Sequence, residues 1–280
     1  MRIVVLMKAV PDLVEEIELT PDETDIDREF LKFVLNEWDA QALEEALLVK
    51  DATGAEVMAV GLASDPDIDQ ALYTALAKGA DAAIKIGGDG DGAVATRDRA
   101  ALLAGYLTGE PADLVITGVQ APDDVDGQLA PMLAAHLGLP HVSVVVAVEA
   151  GDGAVSVRQE FAGGRVHELR VTMPAVIGIQ AARQAPRYAP ISRVRQAMQA
   201  GGLREAAAAA VAAGPGLTVR QMRRPEAAGH AEMLTGDADE VAAKIADLLR
   251  ARSLVKGCPH ERVCVGAGRA HRTADLGFDL

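Results

Sequence analysis

Aromatic residues are almost missing from this chain: of 280 residues, four are Phe, three Tyr and one Trp. A core built without them has to be packed from Ala, Val, Leu and Ile, and with 50% of residues apolar there is material for a sizeable one. Cysteine is equally scarce. The two present, Cys258 and Cys264, fall near the C-terminus, which excludes a disulfide-stapled scaffold and predicts a reducing, cytoplasmic setting. No apolar run approaches the ~18–20 residues of a bilayer-spanning helix. The longest candidates, Ile3–Met7 and Val142–Val148, are strand-sized, so no membrane insertion is expected. The chain opens on Met-Arg and passes directly into a strand-like run with no small-residue cleavage site after it, which predicts no secretory signal. Positive charge is in deficit as well: 27 Lys and Arg stand against 41 Asp and Glu, a net −14 that argues against nucleic-acid binding.

What is present is a regular alternation. Strand-like runs at Ile3–Met7, Glu56–Gly61, Ala82–Ile86 and Leu114–Thr117 are separated by helical patterns, the signature of a mostly parallel, doubly wound α/β sheet. Ile68, Ala71, Leu72, Ala75 and Leu76 put one apolar stripe on a helix that Gly79 ends, and Leu129, Met132, Leu133, His136 and Leu137 repeat the spacing before Gly138. A shorter helix is expected over Gln41–Lys50. From 142 to 180 the pattern changes: Gly151-Asp152-Gly153 and Gly163-Gly164 separate β-rich segments, which predicts a hairpin or meander, and a last strand follows Pro174 over Ala175–Gln180. Residues 1–182 therefore read as one α/β domain. The segment 183–256 reads as an arm, rich in Arg at Arg183, Arg187, Arg193, Arg195 and Arg204, with a helix-forming alanine tract at Ala206–Ala213 and a short amphipathic helix around Val241–Leu249. Residues 257–280 show no period and read as an extended tail.

The most informative loop is Gly118-Val119-Gln120-Ala121-Pro122-Asp123-Asp124-Val125-Asp126-Gly127-Gln128. It leaves the C-terminal end of a parallel strand and opens a helix, the place where open α/β sheets bind ligands and where backbone N–H groups suit a phosphate. Two readings stand side by side: the loop binds a phosphate through its backbone, or Asp123, Asp124 and Asp126 only cap the helix and face water. Lys8-Ala9-Val10-Pro11-Asp12 is either a turn ended by proline or a second wall of the same crevice. In Asn36-Glu37-Trp38-Asp39, Asp39 reads as an N-cap and Trp38 as a core anchor. No G-x-x-x-x-G-K-[ST], G-x-G-x-x-G or G-x-S-x-G motif occurs, and no catalytic acid–base constellation emerges. Cys258, His260, Cys264 and His271 miss the usual zinc spacing, so no metal is expected.

Met7-Lys8-Ala9-Val10-Pro11-Asp12, Asn36-Glu37-Trp38-Asp39 with Ala42-Leu43-Glu44-Glu45-Ala46 behind it, Ala75-Leu76-Ala77-Lys78-Gly79-Ala80-Asp81 and the loop Gly118–Gln128 together resemble the β subunit of electron transfer flavoproteins. The resemblance runs in order and at similar spacing through Gly163-Gly164 and Pro174-Ala175-Val176 to Pro186-Arg187-Tyr188, covering roughly residues 1–250. It implies a doubly wound fold of the adenine-nucleotide-binding type with an added β-hairpin and a C-terminal arm packed on a partner. It further implies a heterodimer with an α subunit that holds most of a redox-active FAD, and AMP or a second FAD in this subunit. That nucleotide would touch Leu6, Asn36, Glu37, Trp38, Asp39, Leu62 and the stretch from Gly118 to Leu129. Tyr188, Ile191, Arg193 and Val194 fall where the family carries its docking segment for acyl-CoA dehydrogenase-type flavin dehydrogenases, with Ile191 as anchor. The implied role is an electron carrier, not an enzyme, delivering to a quinone reductase or other acceptor. The chain departs from the family pattern at Val119, where a Lys is usual, and at Asp126, which adds a charge beside the expected phosphate. Two other readings stay open: a free-standing AMP- or ATP-binding regulatory protein, and an enzyme that adenylates or hydrolyses a nucleotide.

Overall fold

The computed structural model describes residues 1–87, 94–207, 219–225, 229 and 231–254. Two compact units divide the chain, Met1–Arg223 and Arg224–Leu280. In the first, the elements run β1 (Arg2–Leu6), β2 (Ala9–Pro11), β3 (Phe33–Leu35), α1 (Glu37–Thr53), β4 (Glu56–Leu62), α2 (Ile68–Lys78), β5 (Ala82–Gly87), α3 (Thr96–Gly109), β6 (Leu114–Gly118) and α4 (Leu129–Leu137). They continue with β7 (His141–Gly151), β8 (Ala154–Phe161), β9 (Arg165–Thr172), β10 (Ala175–Ile179), α5 (Ile191–Gln199) and β11 (Leu203–Ala207). The second unit contains α6 (Ala238–Ala251), an N-capped amphipathic helix whose Asp237 side chain accepts from the Glu240 N–H.

Among the described residues, nine strands form one sheet in the order β11-β5-β4-β1-β6-β10-β7-β8-β9. From β11 to β7 all neighbours are parallel, while β7, β8 and β9 form an antiparallel meander turned at the two predicted glycine pairs. The central strand β1 is apolar at nearly every position because both of its faces are covered. Ile3 and Val5 point to a layer with Leu43, Leu47 and Leu72 of α1 and α2, and Val4 and Leu6 point to the opposite layer with Leu103, Leu107 and Leu133 of α3 and α4. From β1 the chain winds outward through β4 and β5, then crosses back to place β6 on the other side of β1. That reversal opens a crevice at the C-terminal ends of β1, β4 and β6.

Several expectations change. The helix expected over Gln41–Lys50 starts earlier, at Glu37, and α3 has no counterpart in the sequence reading. Lys8–Asp12 holds no simple turn: Ala9–Pro11 pairs with Phe33–Leu35 as a small antiparallel ladder. The stretch from 183, expected as an arm, is woven into the first unit. There α5 packs on α2, and Leu203–Ala207 joins the sheet beside β5, so the start of the expected alanine helix is strand. Edge pairing decides this in favour of strand although Leu, Arg, Glu and Ala all prefer helix. Residues 208–213 of that tract and the tail from 257 lie outside the described residues.

Candidate functional site

Asp39 ties the crevice together. It lies in the first turn of α1, where Asn36, not Asp39, is the N-cap, and its carboxylate leaves the helix to accept the N–H of Lys8 (2.9 Å) at the end of β1 and of Gly118 (3.0 Å) at the end of β6. The expected capping role is therefore corrected: the carboxylate closes the gap between two strands at the switch point. Gly118 is glycine for the same reason. A side chain there would start 2.5 Å from Asp39 Oδ1 and 2.7 Å from Trp38 Cβ. Asn36 donates its amide to the Gln120 carbonyl (2.9 Å) and leaves its own Oδ1 buried without a partner.

Burial pushes the Asp39 carboxyl up to about 7, against the opposing pull of Asn36, the Gly118 and Lys8 N–H groups and the Lys8 charge. The native state thus holds this proton more tightly than the unfolded chain, where the group titrates near 3.8. Its contribution to stability is complete below about pH 4 and is lost as pH rises through about 7. Urea midpoints measured across that range are expected to fall more steeply with rising pH in the parent protein than in Asp39→Asn. Equal slopes would remove Asp39 as the source.

None of the three loop acids caps α4, whose N-cap is Gln128 without a side-chain bond. Asp123 pairs with the Lys8 ammonium (2.6 Å), Asp124 accepts from the Thr96 hydroxyl (2.8 Å) and bridges back to Ala121, and Asp126 is exposed. Val119 donates its N–H to Ile179 of β10 (2.9 Å), and Gly127 sits at φ +61° against the Val119 carbonyl, so the loop folds back on its own start. Glu37 and Val125 are exposed, while Pro122 and Gln120 are half-buried.

Of the nucleotide residues that the resemblance names, the structure brings Leu6, Asp39, Leu62 and Leu129 into one crevice with Lys8, Arg99 and Leu103. The crevice has room for about 10 Å³, the space of one water. Beside it, sharing Lys8 and Arg99, opens a cavity of about 400 Å³ that includes Ser64, Asp65, Thr96 and Asp123. Ligand cavities run from roughly 300 to 1,000 Å³, so this second space is the one with the volume of a nucleotide. Its wall also holds two buried polar atoms without partners, Ser64 Oγ and Arg99 Nε. Both atoms are closed off from solvent, and leaving such an atom unpaired costs about 1–3 kcal/mol. The volume and the Lys8 ammonium on its wall suit a nucleotide, with the open space displaced toward β4 and α3 from where the resemblance centres it.

Sequence reading missed Arg99 and Asp65, which form a buried bidentate pair (Arg99 Nη1 to Asp65 Oδ2, 2.8 Å, and Arg99 Nη2 to Asp65 Oδ1) with side chains only 5% and 6% exposed. The available signal was an Arg set directly against an Ala- and Leu-rich run. Also missed were Glu44 and Glu45 of α1. Glu45, fully buried, accepts from Val148 N (2.7 Å), Arg183 N (3.0 Å) and Arg183 Nε (2.8 Å). Glu44 accepts from Arg187 N (2.8 Å) and Nε (3.0 Å), and Arg187 reaches on to Asp51 (2.9 Å). These four residues fasten 181–187 to α1 and so set where the next segment begins. In that segment Tyr188 and Ile191 are exposed, at 81% and 66%, and Arg193 faces solvent, while Val194 is buried and holds α5 to the domain. His136 is exposed on α4. Cys258, His260, Cys264 and His271 lie outside the described residues.

A doubly wound sheet with α1 and α2 on one face, α3 and α4 on the other, and a polar cavity at its switch point defines an α/β protein of the kind that binds ligands beyond the carboxyl ends of its strands. Residues 25–212 match the family model described as the electron transfer flavoprotein domain. A curated relative from Methylophilus methylotrophus, named electron transfer flavoprotein subunit beta, is 33% identical over 263 residues, covering 89% of this chain and 98% of its own. Relatives of the same name from Syntrophomonas wolfei (31% over 251 residues, 89% and 96%) and Mycobacterium tuberculosis (34% over 192 residues, 67% and 72%) agree. The chain belongs to the electron transfer flavoprotein β-subunit family.

Among the described residues no helix is long and apolar enough to cross a membrane.

Proposed function

We propose that this chain is the β subunit of a heterodimeric electron transfer flavoprotein: it pairs with an α subunit that carries most of an FAD, and the pair relays electrons from flavin dehydrogenases to a quinone reductase or other acceptor. The observation that carries the reading is the match over 89% of this chain and 98% of the Methylophilus relative. Bound flavin supplies the redox chemistry. This chain's own residues position and dock. Asp39 locks the ends of β1 and β6, Lys8 offers a donor to a nucleotide, and the Glu44 and Glu45 pairs fix the base of the segment that presents Tyr188 and Ile191. The carrier role needs no proton-transfer pair here.

The test is to co-express the chain with its genomic neighbour, denature the purified complex and count released nucleotides. One FAD with one AMP per heterodimer is the expected result; two FAD would place a second flavin in this subunit, and no complex with no flavin would overturn the reading. Ile191 gives a second check. An aliphatic side chain 66% exposed in a basic stretch suits a transient partner anchor. Ile191→Ala is expected to raise the KM for the reduced dehydrogenase about tenfold while the heterodimer still assembles. Loss of assembly instead would make Ile191 a packing residue.

A further inference from the structure

Residues 219–223 are the last of the first unit, and two of them, Val219 and Met222, supply one wall of the 400 Å³ cavity. The strap they make is mostly exposed, with only Met222 half-buried. Among the described residues, both hydrogen bonds that fasten it to the body end on one residue, Glu23. The Met222 N–H donates to the Glu23 carbonyl (2.6 Å), and the Gln221 side-chain amide donates to Glu23 Oε2 (2.5 Å). The other end of that amide is fixed too, since Gln221 Oε1 accepts from Nε and Nη2 of Arg223 (3.1 and 2.7 Å). An Arg–Gln–Glu relay thus holds the strap down, the amide nitrogen toward the carboxylate and the amide oxygen toward the guanidinium.

Glu23 is an unusual residue to carry this load. Its φ is +56°, in the left-handed region that residues other than glycine avoid. The turn 20–25 keeps it there: the Thr20 N–H donates to the Asp25 carbonyl (2.9 Å), the Glu23 N–H to the Thr20 carbonyl (2.8 Å), and the Thr20 and Thr24 hydroxyls both donate to Asp22 (2.7 and 2.9 Å). The same turn reaches the cavity, which Asp25, Ile26 and Arg28 line. Backbone strain persists where it serves a function, and here both polar groups of the strained residue go to the strap. We infer that residues 219–223 are a strap across the cavity, latched at Glu23, and that what occupies the cavity enters and leaves when this latch opens. A segment held by two hydrogen bonds opens locally without loss of the sheet. The latch stands whatever the cavity holds; that the occupant is a nucleotide rests on the reading above.

The test reads opening without a ligand. Ala9 lines the cavity and is 5% exposed, so in the full-length chain the thiol of Ala9→Cys is labelled with a maleimide and the modified peptide identified by mass spectrometry. Gln221→Glu sets a carboxylate against Glu23 and is expected to raise the labelling rate about tenfold, with peroxide oxidation of Met222 rising alongside. Adding Glu23→Gln exchanges donor and acceptor across the same gap and is expected to return both rates to within about twofold of the parent. Faster Met222 oxidation with unchanged thiol labelling would overturn the inference, because the strap would then move without guarding the cavity. Rates that Gln221→Glu leaves alone, or that Glu23→Gln fails to restore, would overturn it as well. Thr96→Cys, on another wall, repeats the reading if Ala9→Cys fails to fold. Saturating AMP tests the occupant separately: latch-controlled labelling that AMP does not slow would keep the strap and sink the nucleotide reading, while AMP protection without latch control would do the reverse.

Discussion

Asp65→Ala is expected to destabilise the first unit by about 3–5 kcal/mol, the cost of leaving a buried guanidinium without its partner. Arg99 has nowhere to take its charge: its side chain is 5% exposed, on a helix packed against α4 and the β4 face of the sheet. The loss will show as a lower denaturant midpoint at unchanged slope. The pair itself is a different matter, because desolvation offsets most of the attraction between buried charges. Asp65→Leu combined with Arg99→Met is therefore expected to recover most of the stability that Asp65→Ala loses. Strict additivity of the two single changes would show that the residues do not act as a unit.

Glu45→Ala carries the second large effect, about 3 kcal/mol. Three donors converge on this one carboxylate from β7 and from the stretch after β10, and the Val148 N–H has no route to solvent once it is gone. Arg183, a third exposed, can turn outward, which keeps the cost below that of a fully trapped charge. Glu45→Gln retains an acceptor and is expected to lose less than half as much. Because Glu45 anchors Arg183, its loss also frees the base of the Tyr188–Ile191 segment. Hydrogen exchange over 181–194 is expected to rise in Glu45→Ala but not in a core variant of matched stability, such as a truncation at Leu133.

How far the sequence disclosed this fold depended on whether an element's role was local. Strands β1, β4, β5 and β6 were visible as apolar runs because both faces are covered, and α2 and α4 as stripes ended by Gly79 and Gly138. Helix α3 was invisible for the opposite reason. It buries residues on much of its circumference, Arg99, Ala100, Ala101, Leu103, Ala104, Tyr106 and Leu107, and so shows no single stripe. Strand β11 was misread because its residues favour helix and only the edge of β5 makes them extended. At the site, the positions of Leu6, Asp39, Leu62 and Leu129 were legible through the family resemblance. The ion pairs were not, since Glu45 and Arg183 stand 138 residues apart and Asp65 and Arg99 stand 34 apart, beyond the reach of any periodicity.

The return of Leu203–Ala207 to the sheet imposes an order on how the protein is made. Leu203 pairs with Ala83, so the outer edge of β5 stays bare until more than a hundred further residues have left the ribosome. During that interval β5 offers unpaired N–H and C=O groups to any passing extended chain, the hazard that edge strands carry. At the far side of the finished sheet, β9 carries Arg165, Glu168 and Arg170 on an almost wholly exposed strand, charges that discourage such pairing. β5 has only Lys85 for the same purpose, and in the finished fold that lysine bonds to Asp69 and to Glu205 of the arriving strand. Truncation before residue 203 therefore leaves a nascent-like sheet with one sticky border, and clumping of the newly made polypeptide is its natural fate.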